Sequence, residues 1–351
     1  MSNQKTELSD LGEFGLIKHL TNKIALQNES TIKGVGDDCA VLNYPNKRVV
    51  VTTDMLTEGI HFNLMYVPLK HLGYKAIAVN LSDVYAMNAT PKQVTVSLAL
   101  SSKFSLEAIE QLYQGIHLAC QRYGVDLVGG DTTSSLTGLT ISITAIGEVD
   151  EEKVVYRNGA KPSNLLCVSG DLGGAYMGLQ LLERENEVYK VNPKMQPEFK
   201  EYDYLLERQL KPEPRKDVIQ LFKDNDVCPT AMIDISDGLS SEVLHLCEQS
   251  GVGCRVYEDK IPYHPNTQDL AQEMNMNPIV AALNGGEDYE LLFTIDIKEY
   301  DKIKNNPMIS VLGHITEKEE GANLVTAGMG KFIPLEAQGW NPIMNKREDK
   351  E

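Results

Sequence analysis

Arg48-Val-Val-Val-Thr-Thr-Asp54 is a strand of valines that ends in two hydroxyls and a carboxylate. Because such a strand leaves a rigid sheet with several oxygens side by side, it can bind one or two hard cations such as Mg²⁺. The common alternative is an Asx turn or a helix cap after a strand. By itself this segment leaves both interpretations open.

Four more segments place acids beside glycine, serine or threonine at predicted strand or helix ends. They are Gly34-Val-Gly-Asp-Asp38, Asn80-Leu-Ser-Asp83, Gly129-Gly-Asp131 and Asp234-Ile-Ser-Asp-Gly238. Each alone is compatible with a tight turn or a cap, and Asp83 could instead pair with Lys75. Together the acids favour ligation of hard cations, and we expect those cations to bind phosphate groups of a substrate.

The glycines of these segments do not form a Walker A loop or a G-x-G-x-x-G motif, so neither a P-loop nor a Rossmann fold is supported. In Asn284-Gly-Gly-Glu-Asp-Tyr-Glu290 a hairpin turn explains the glycines but not the three acids. There is no G-x-S-x-G motif, and no cysteine with an evident catalytic partner. These absences argue against covalent catalysis.

Charge and hydropathy exclude several classes of protein. The 351 residues carry a formal net charge of -17, which would repel a nucleic-acid backbone. No apolar run approaches the length of a membrane span, and no signal peptide is evident. The six cysteines form no C-x-x-C pair and are expected to be reduced. We therefore expect a cytoplasmic protein without nucleic-acid or membrane partners.

The pattern of apolar residues predicts an α+β protein with helices and strands mixed in both halves. A charged, turn-rich segment over residues 150–162 separates the halves. We expect an N-terminal domain over residues 1–150, a C-terminal domain over 151–345 and a frayed tail over 346–351. Residues 185–200 are polar with two prolines, and are predicted to form an inserted loop.

The order of the motifs over Gly12 to Trp340 resembles that of the thiamine-monophosphate kinase family, in the aminoimidazole-ribonucleotide-synthetase-like superfamily. The motifs are G-V-G-D-D-C-A-V-L (34–42), T-T-D-x-L-x-x-G-x-H-F (52–62), K-A-x-A-V-N-L-S-D (75–83), G-G-D-T-T (129–133), R-N-G-A-K-P (157–162), D-I-S-D-G-L (234–239) and G-G-E-D-Y-E-L (285–291). The resemblance implies two α+β domains, with the N-terminal domain forming a barrel across a homodimer.

The resemblance also implies transfer of the ATP γ-phosphoryl group to thiamine monophosphate, with several Mg²⁺ ions. The implied metal ligands are Asp38, Thr52, Thr53, Asp54, Asp83, Asp131, Asp234 and Asp237. The implied ATP contacts are Tyr113, Gly130, Arg157 and Ser236, and the implied substrate contacts are His61, Glu287 and Trp340. No residue is assigned as a general base.

Physical chemistry explains the missing base. A phosphate monoester has a second pKa near 6, so it is largely dianionic at neutral pH and needs no deprotonation before it attacks. Direct in-line transfer is therefore expected. The alternatives are a selenophosphate synthetase or a hydrogenase-maturation protein of the same superfamily, or a non-catalytic nucleotide or metal sensor. The first two would need a reactive cysteine near the N-terminus or a cysteine at the C-terminus, and neither is present.

Overall fold

The computed structural model describes residues 19–21, 24–33, 41–197, 199, 201–328 and 330–337. The chain divides into two compact units. Unit 1 comprises Met1–Tyr156, Leu181–Phe199 and Leu206–Cys228, and unit 2 comprises Arg157–Gln180, Lys200–Leu205 and Pro229–Glu351. Both units mix helices and strands, which confirms the α+β class.

The described residues form strands and helices that alternate along most of the chain. In chain order the strands are β1 (Thr31–Lys33), β2 (Val41–Leu42), β3 (Arg48–Thr57), β4 (Thr90–Ser101), β5 (Asp126–Ser135), β6 (Thr140–Val149), β7 (Leu165–Ser169), β8 (Ala231–Asp234), β9 (Gly253–Tyr257), β10 (Leu291–Ile295), β11 (Ile309–Thr316), β12 (Ala322–Val325) and β13 (Phe332–Pro334). The helices are α1 (Leu69–Ala86), α2 (Leu106–Tyr123), α3 (Gly174–Val191), α4 (Asp203–Leu210), α5 (Lys216–Asp224), α6 (Leu239–Ser250), α7 (Pro265–Glu273) and α8 (Pro278–Asn284).

The main sheet of unit 1 has the strand order β3-β6-β4-β5, with β3 and β5 at its two edges. Helix α1 packs against β3, β6 and β4. On the face toward α1 the strands place buried residues such as Val96 and Ile143, whereas the opposite face presents hydroxyls such as Thr144. This alternation follows from the two-residue period of a strand, and it gives the sheet one covered and one open face.

Helix α1 is buried on nearly all sides because it lies between the sheet and α2. Two glycines permit the close contact between the helices. A Cβ on Gly73 would lie 2.0 Å from the carbonyl oxygen of Leu112, and one on Gly115 would lie 1.9 Å from that of Lys70. The near-continuous apolar sequence of α1 is therefore explained by two packing faces rather than one.

Unit 2 is built on a seven-stranded sheet in the order β13-β12-β9-β11-β7-β10-β8. Its pairs are antiparallel except for β12 with β9. Leu166, Ile233 and Leu292 from the sheet and Leu239 and Leu246 from α6 belong to one buried core cluster. This core fixes the end of β8 relative to the start of α6, where the Asp234–Gly238 motif lies.

The prediction of a loop over residues 185–200 is wrong for its first part. Helix α3 continues to Val191, and an i,i+3 ion pair of 2.6 Å joins Glu187 to Lys190 within that segment. The helix ends where Asn192 precedes Pro193, because proline disfavours helical backbone in the residue before it. The predicted frayed tail at 346–351 lies outside the described residues. Among the described helices, none combines the length and the apolar character needed to cross a membrane.

Candidate active site

In unit 1 the middle of β3 meets α1 and forms a small cluster of oxygen atoms. The prediction that Thr52-Thr53-Asp54 ends the strand is wrong, because β3 continues to Thr57. The Thr52 hydroxyl donates to Oδ2 of Asp83 at 2.6 Å, and the backbone N–H of Asp54 donates to Oδ1 of Asn80 at 3.0 Å. Asn80 is itself held by donation from its Nδ2 to the carbonyl of Ala76. The strand and the helix thus place two carboxylates beside each other, which the sequence predicted.

Burial, and after it the negative charge of Asp83, together raise the pKa of Asp54 to about 6. Lys75, the alternative partner for Asp83, lies about 12 Å along the helix axis and donates to the carbonyl of Gln209 at 2.9 Å. Two half-buried carboxylates, one of which accepts the Thr52 hydroxyl, are a hard-oxygen donor set that suits Mg²⁺.

The described residues contain no group of three or more acids, histidines or cysteines arranged to hold one metal. This agrees with the usual binding of Mg²⁺, which takes one or two carboxylates and completes its coordination with water and substrate phosphate. The pair formed by Asp54 and Asp83 therefore fits the ion.

Asp131 and Gly130 do not join this pair within one chain. The register aligns Asp54 with Ile143, Val96 and Gly130 across the sheet, so Gly130 is three strands away, at about 14 Å. Asp131 is paired with Ser97 and lies on the open face, opposite to the face of Asp54. Gly130 is required by packing, because a Cβ there would lie 1.9 Å from the carbonyl oxygen of Val96.

Thr53 lies on the open face of β3, where its hydroxyl donates to the carbonyl of Ile143 at 2.9 Å and accepts from Thr144 at 3.2 Å. The structure therefore separates the predicted Thr52-Thr53-Asp54 ligands onto two faces of one strand. Tyr113 lies on α2 with 8% of its surface exposed, and burial raises its pKa to about 12. It contacts the ring of His117.

His61 follows β3 in an exposed loop. Its ring nitrogen Nδ1 accepts the backbone N–H of Thr57 at 3.1 Å. The backbone N–H of His61 donates to the carbonyl of Thr57 at 2.9 Å. Because Nδ1 is an acceptor, a neutral ring carries its proton on Nε2. The side chain is thus held as a hydrogen-bond donor at Nε2.

In unit 2 the Asp234–Gly238 motif packs against the Gly285–Leu291 motif. Backbone hydrogen bonds join Glu287 N–H to the carbonyl of Ser236 at 2.7 Å and Tyr289 N–H to that of Ile235 at 2.8 Å. Gly286 has a φ of 70°, and a Cβ there would lie 2.5 Å from the carbonyl oxygen of Ser236. The two motifs are therefore parts of one structure, with Ser236 and Asp237 exposed and Glu287 partly exposed.

Glu287 and Tyr289 both have positive φ, 59° and 52°, in a region that costs L-residues about 1 kcal/mol or more. The neighbouring acids stabilise this backbone. Buried Asp288 accepts the N–H groups of Gly173, at 2.8 Å, and Ala175, at the start of α3. Of the acids grouped here by the sequence, Asp288 is thus structural, whereas Glu287 is partly exposed.

Glu290 is also structural. It is 1% exposed and accepts the hydroxyl of Ser169 at 2.5 Å, and Ser169 in turn accepts the N–H of Leu291 at 2.9 Å. Alternation along this segment therefore separates the acids by role. The sequence pattern alone did not distinguish them.

Glu242 was not predicted as a site residue. It lies in the first turn of α6, is 2% exposed, and accepts the N–H of Asp237 on Oε1 at 3.1 Å. Its pKa is raised to about 8, mainly by burial and also by the charges of Asp237 and Asp234, although the hydrogen bond from the N–H of Asp237 acts in the opposite direction. Its position four residues after Gly238 was a signal in the sequence, because an acid near a helix start commonly caps it.

Arg157 is not close to Ser236 within unit 2. Its carbonyl accepts the hydroxyl of Ser250 at 3.2 Å, at the C-terminal end of α6, whereas Ser236 precedes the N-terminal end. The twelve residues of α6 span about 18 Å. The predicted site residues Asp38 and Trp340 lie outside the described residues.

Comparison with known proteins places this arrangement in a family. A model described as AIR synthase related protein, N-terminal domain, matches residues 36–149. The chain is 34% identical over 340 residues to the thiamine-monophosphate kinase of Bacillus subtilis, covering 94% of this chain and 99% of the relative. It is 35% identical over 334 residues to that of Aquifex aeolicus, covering 95% and 98%.

A solved structure of a relative described as AaThiL complexed with AMPPCP and TMP has a TM-score of 0.73. It is 33% identical, with coverage of 97% of this chain and 99% of that chain. The near-complete coverage, at an identity above 30%, extends to both units. The chain belongs to the thiamine-monophosphate kinase family.

Proposed function

We propose that this protein is an ATP-dependent phosphotransferase that converts thiamine monophosphate to thiamine diphosphate. The observation that carries the proposal is the near-full-length similarity to relatives of that name, one of which was solved with AMPPCP and TMP. The geometry agrees with it, because Asp54 and Asp83 in unit 1, and Asp234 and Asp237 in unit 2, are oxygen donors of the kind that hold Mg²⁺ beside phosphate.

In the proposed reaction the acceptor phosphate of thiamine monophosphate attacks the γ-phosphorus of ATP directly. The acceptor is already dianionic near neutral pH, so the chain need not remove a proton. The task of the chain is to bring two polyanions together and align them. Acids that hold cations, together with hydrogen-bond donors aimed at phosphate, suit that task.

Asp54 and Asp83 would hold Mg²⁺ in unit 1, with Thr52 beside them, and Asp234 and Asp237 would hold it in unit 2. When bound, Mg²⁺ supplies positive charge between the two sets of phosphate oxygens. Asn80 keeps the backbone of Asp54 in place, and Glu287 is partly exposed beside the buried Asp288. Asp38, Thr53 and Asp131 stay predicted ligands, and Tyr113, Gly130, Arg157 and Ser236 stay predicted ATP contacts.

For the substrate we propose that His61 donates a hydrogen bond from Nε2, since its Nδ1 is used by Thr57. Glu287 and Trp340 complete the predicted substrate contacts. The partly exposed carboxylate of Glu287 is suited to a cation, and the thiazolium ring of thiamine carries a positive charge. The cytoplasmic location expected from the sequence stays a prediction.

We also propose that the protein is a homodimer in which two copies cover the open sheet face of unit 1. That face exposes three apolar side chains of β3: Val49, 47% exposed, Val51, 64%, and Met55, 58%. Such a row is unfavourable in water and typical of an interface. Within one sheet Asp54 and Gly130 are about 14 Å apart. If the β5 edge of one copy adjoins the β3 edge of the other, the dimer would shorten this distance along the sheet.

One assay tests the activity. The protein is incubated with ATP, Mg²⁺ and thiamine monophosphate, and thiamine diphosphate and ADP are separated and quantified. We expect equimolar products. If ATP binds but no thiamine diphosphate forms at saturating substrate, the protein is a sensor and the proposal is wrong. Trapping a phosphorylated protein on the turnover timescale would exclude direct transfer.

A further inference from the structure

Glu242 is a buried acid to which the resemblance assigns no role. It lies in unit 2 in the first turn of α6 and is 2% exposed. One carboxylate oxygen, Oε1, accepts the N–H of Asp237 at 3.1 Å. The other, Oε2, is buried and has no hydrogen-bond partner among the described residues. The carboxyl group is thus half satisfied and directed to the turn that carries two predicted metal ligands.

A helix cap explains only half of this arrangement. An acid in the first turn that accepts a backbone N–H from the residues before the helix resembles a capping box, and the helix dipole favours its charge. A cap, however, is normally exposed, and its second oxygen is hydrated. A buried carboxylate oxygen without a donor costs about 1–3 kcal/mol or more. The burial of Oε2 therefore needs another favourable interaction.

A divalent cation at the Asp234–Asp237 turn would supply that interaction. Asp234 is 3% exposed, so two buried acids and the exposed Asp237 lie around one helix start, where their like charges repel one another. The carboxylates do not form a cage of three direct ligands within the described residues. Glu242 is accordingly placed to orient the direct ligands and add charge behind them, as outer residues of metal sites do.

We propose that Glu242 is a positioning residue for a divalent cation held by Asp234 and Asp237. It fixes the backbone of Asp237 through Oε1, and a bound cation would favour the ionised form of its carboxyl group, whose charge then lies behind the direct ligands. The proposal rests on the proposed cation-assisted phosphoryl transfer and assigns a residue that supports it. Its substitution should weaken cation binding without removing a direct ligand.

The test measures binding of Mn²⁺, as a probe for Mg²⁺, to the full-length protein by the paramagnetic resonance signal of free Mn²⁺. Glu242→Gln keeps an oxygen that can accept the N–H of Asp237 but removes the charge. Glu248→Gln removes an exposed acid from the same helix and is the matched control. Asp237→Asn marks the ion that belongs to this turn. Circular dichroism checks that each variant is folded.

We expect Glu242→Gln to lower the affinity of the protein for one Mn²⁺ ion about tenfold or more. It should be the same ion whose binding Asp237→Asn weakens, so the double variant should not lose binding of a second ion. Glu248→Gln should bind Mn²⁺ as the wild type does. In turnover, the Mg²⁺ concentration for half-maximal rate should rise about tenfold, while KM for both substrates at saturating Mg²⁺ stays unchanged.

Wild-type Mn²⁺ binding by a folded Glu242→Gln protein would show that the residue is only a cap, and would overturn the proposal. So would the loss of a different ion from the one marked by Asp237→Asn. If the wild-type protein forms no thiamine diphosphate, the proposed function fails, but the Mn²⁺ titration still decides the role of Glu242.

Discussion

Replacing Asp83 by Asn should make the metal-free protein more stable and the enzyme much slower. The two changes have one cause, because Asp83 adds negative charge beside the half-buried Asp54. Asn is nearly isosteric and can still accept the hydroxyl of Thr52. The variant thus removes the charge with little change in packing.

The magnitude follows from the pKa of Asp54, which rises from 3.8 to about 6. That difference corresponds to about 3 kcal/mol of cost to the ionised folded protein. Burial is its largest cause and Asp83 is second, so we assign about 1 kcal/mol to Asp83. A carboxyl group whose pKa is raised by folding binds its proton more tightly in the folded state. Its contribution to stability therefore falls as pH rises from about 4 through about 6.

The assay is urea unfolding with a chelator from pH 4 to 8, followed by circular dichroism. We expect Asp83→Asn to raise the free energy of unfolding by about 1 kcal/mol above pH 6 and by less at pH 4. Mg²⁺ should stabilise the wild type more than the variant, because the cation offsets the repulsion only where both charges exist. The rate of thiamine diphosphate formation should fall about 100-fold.

Glu152→Gln is the control, since it removes an exposed acid of the same unit. Glu152→Gln should leave both the free energy of unfolding and the rate of thiamine diphosphate formation equal to those of the wild type. If metal-free Asp83→Asn is less stable than wild type at pH 7, the two carboxylates do not repel each other in the folded chain. Wild-type turnover would remove Asp83 from the proposed cation site.

Three further outcomes follow from the described contacts. His61→Ala should raise KM for thiamine monophosphate about tenfold, since a hydrogen bond to a charged group contributes about 1.5–3 kcal/mol, with KM for ATP as the internal control; an unchanged KM would exclude the contact. Asp288→Ala should lower the free energy of unfolding, measured in urea, by about 1–3 kcal/mol, because buried N–H groups at the start of α3 lose their acceptor. Asp288→Asn should lower it less, since its amide oxygen can still accept. Equal losses in the two variants would contradict capping by Asp288. Val51→Lys should shift the sedimentation coefficient toward that of a monomer if the open sheet face is the dimer interface, and a coefficient equal to wild type would exclude that face.

Part of the site was predictable because its signals are local. Thr52-Thr53-Asp54 after a run of valines, and Asp83 in an apolar helix, each indicate an acid at the edge of a core, and the structure brings Asp54 and Asp83 together. The strand itself continues to Thr57, which the sequence did not predict. The continuation of α3 to Val191 was missed because prolines beyond the helix made the whole segment look irregular.

The sequence by itself determined the α+β class and the family, since apolar periodicity and motif order are properties of the chain, and it predicted oxygen-bearing side chains as the ligands. Only the tertiary structure decided which acids meet. Sheet order places β3 and β5 at opposite edges, and strand alternation sends Asp54 and Asp131 to opposite faces. Burial decided the roles of the remaining acids: it makes Asp288 a cap and leaves one oxygen of Glu242 without a donor. These facts depend on non-local pairing and on exclusion of water, which no short motif contains.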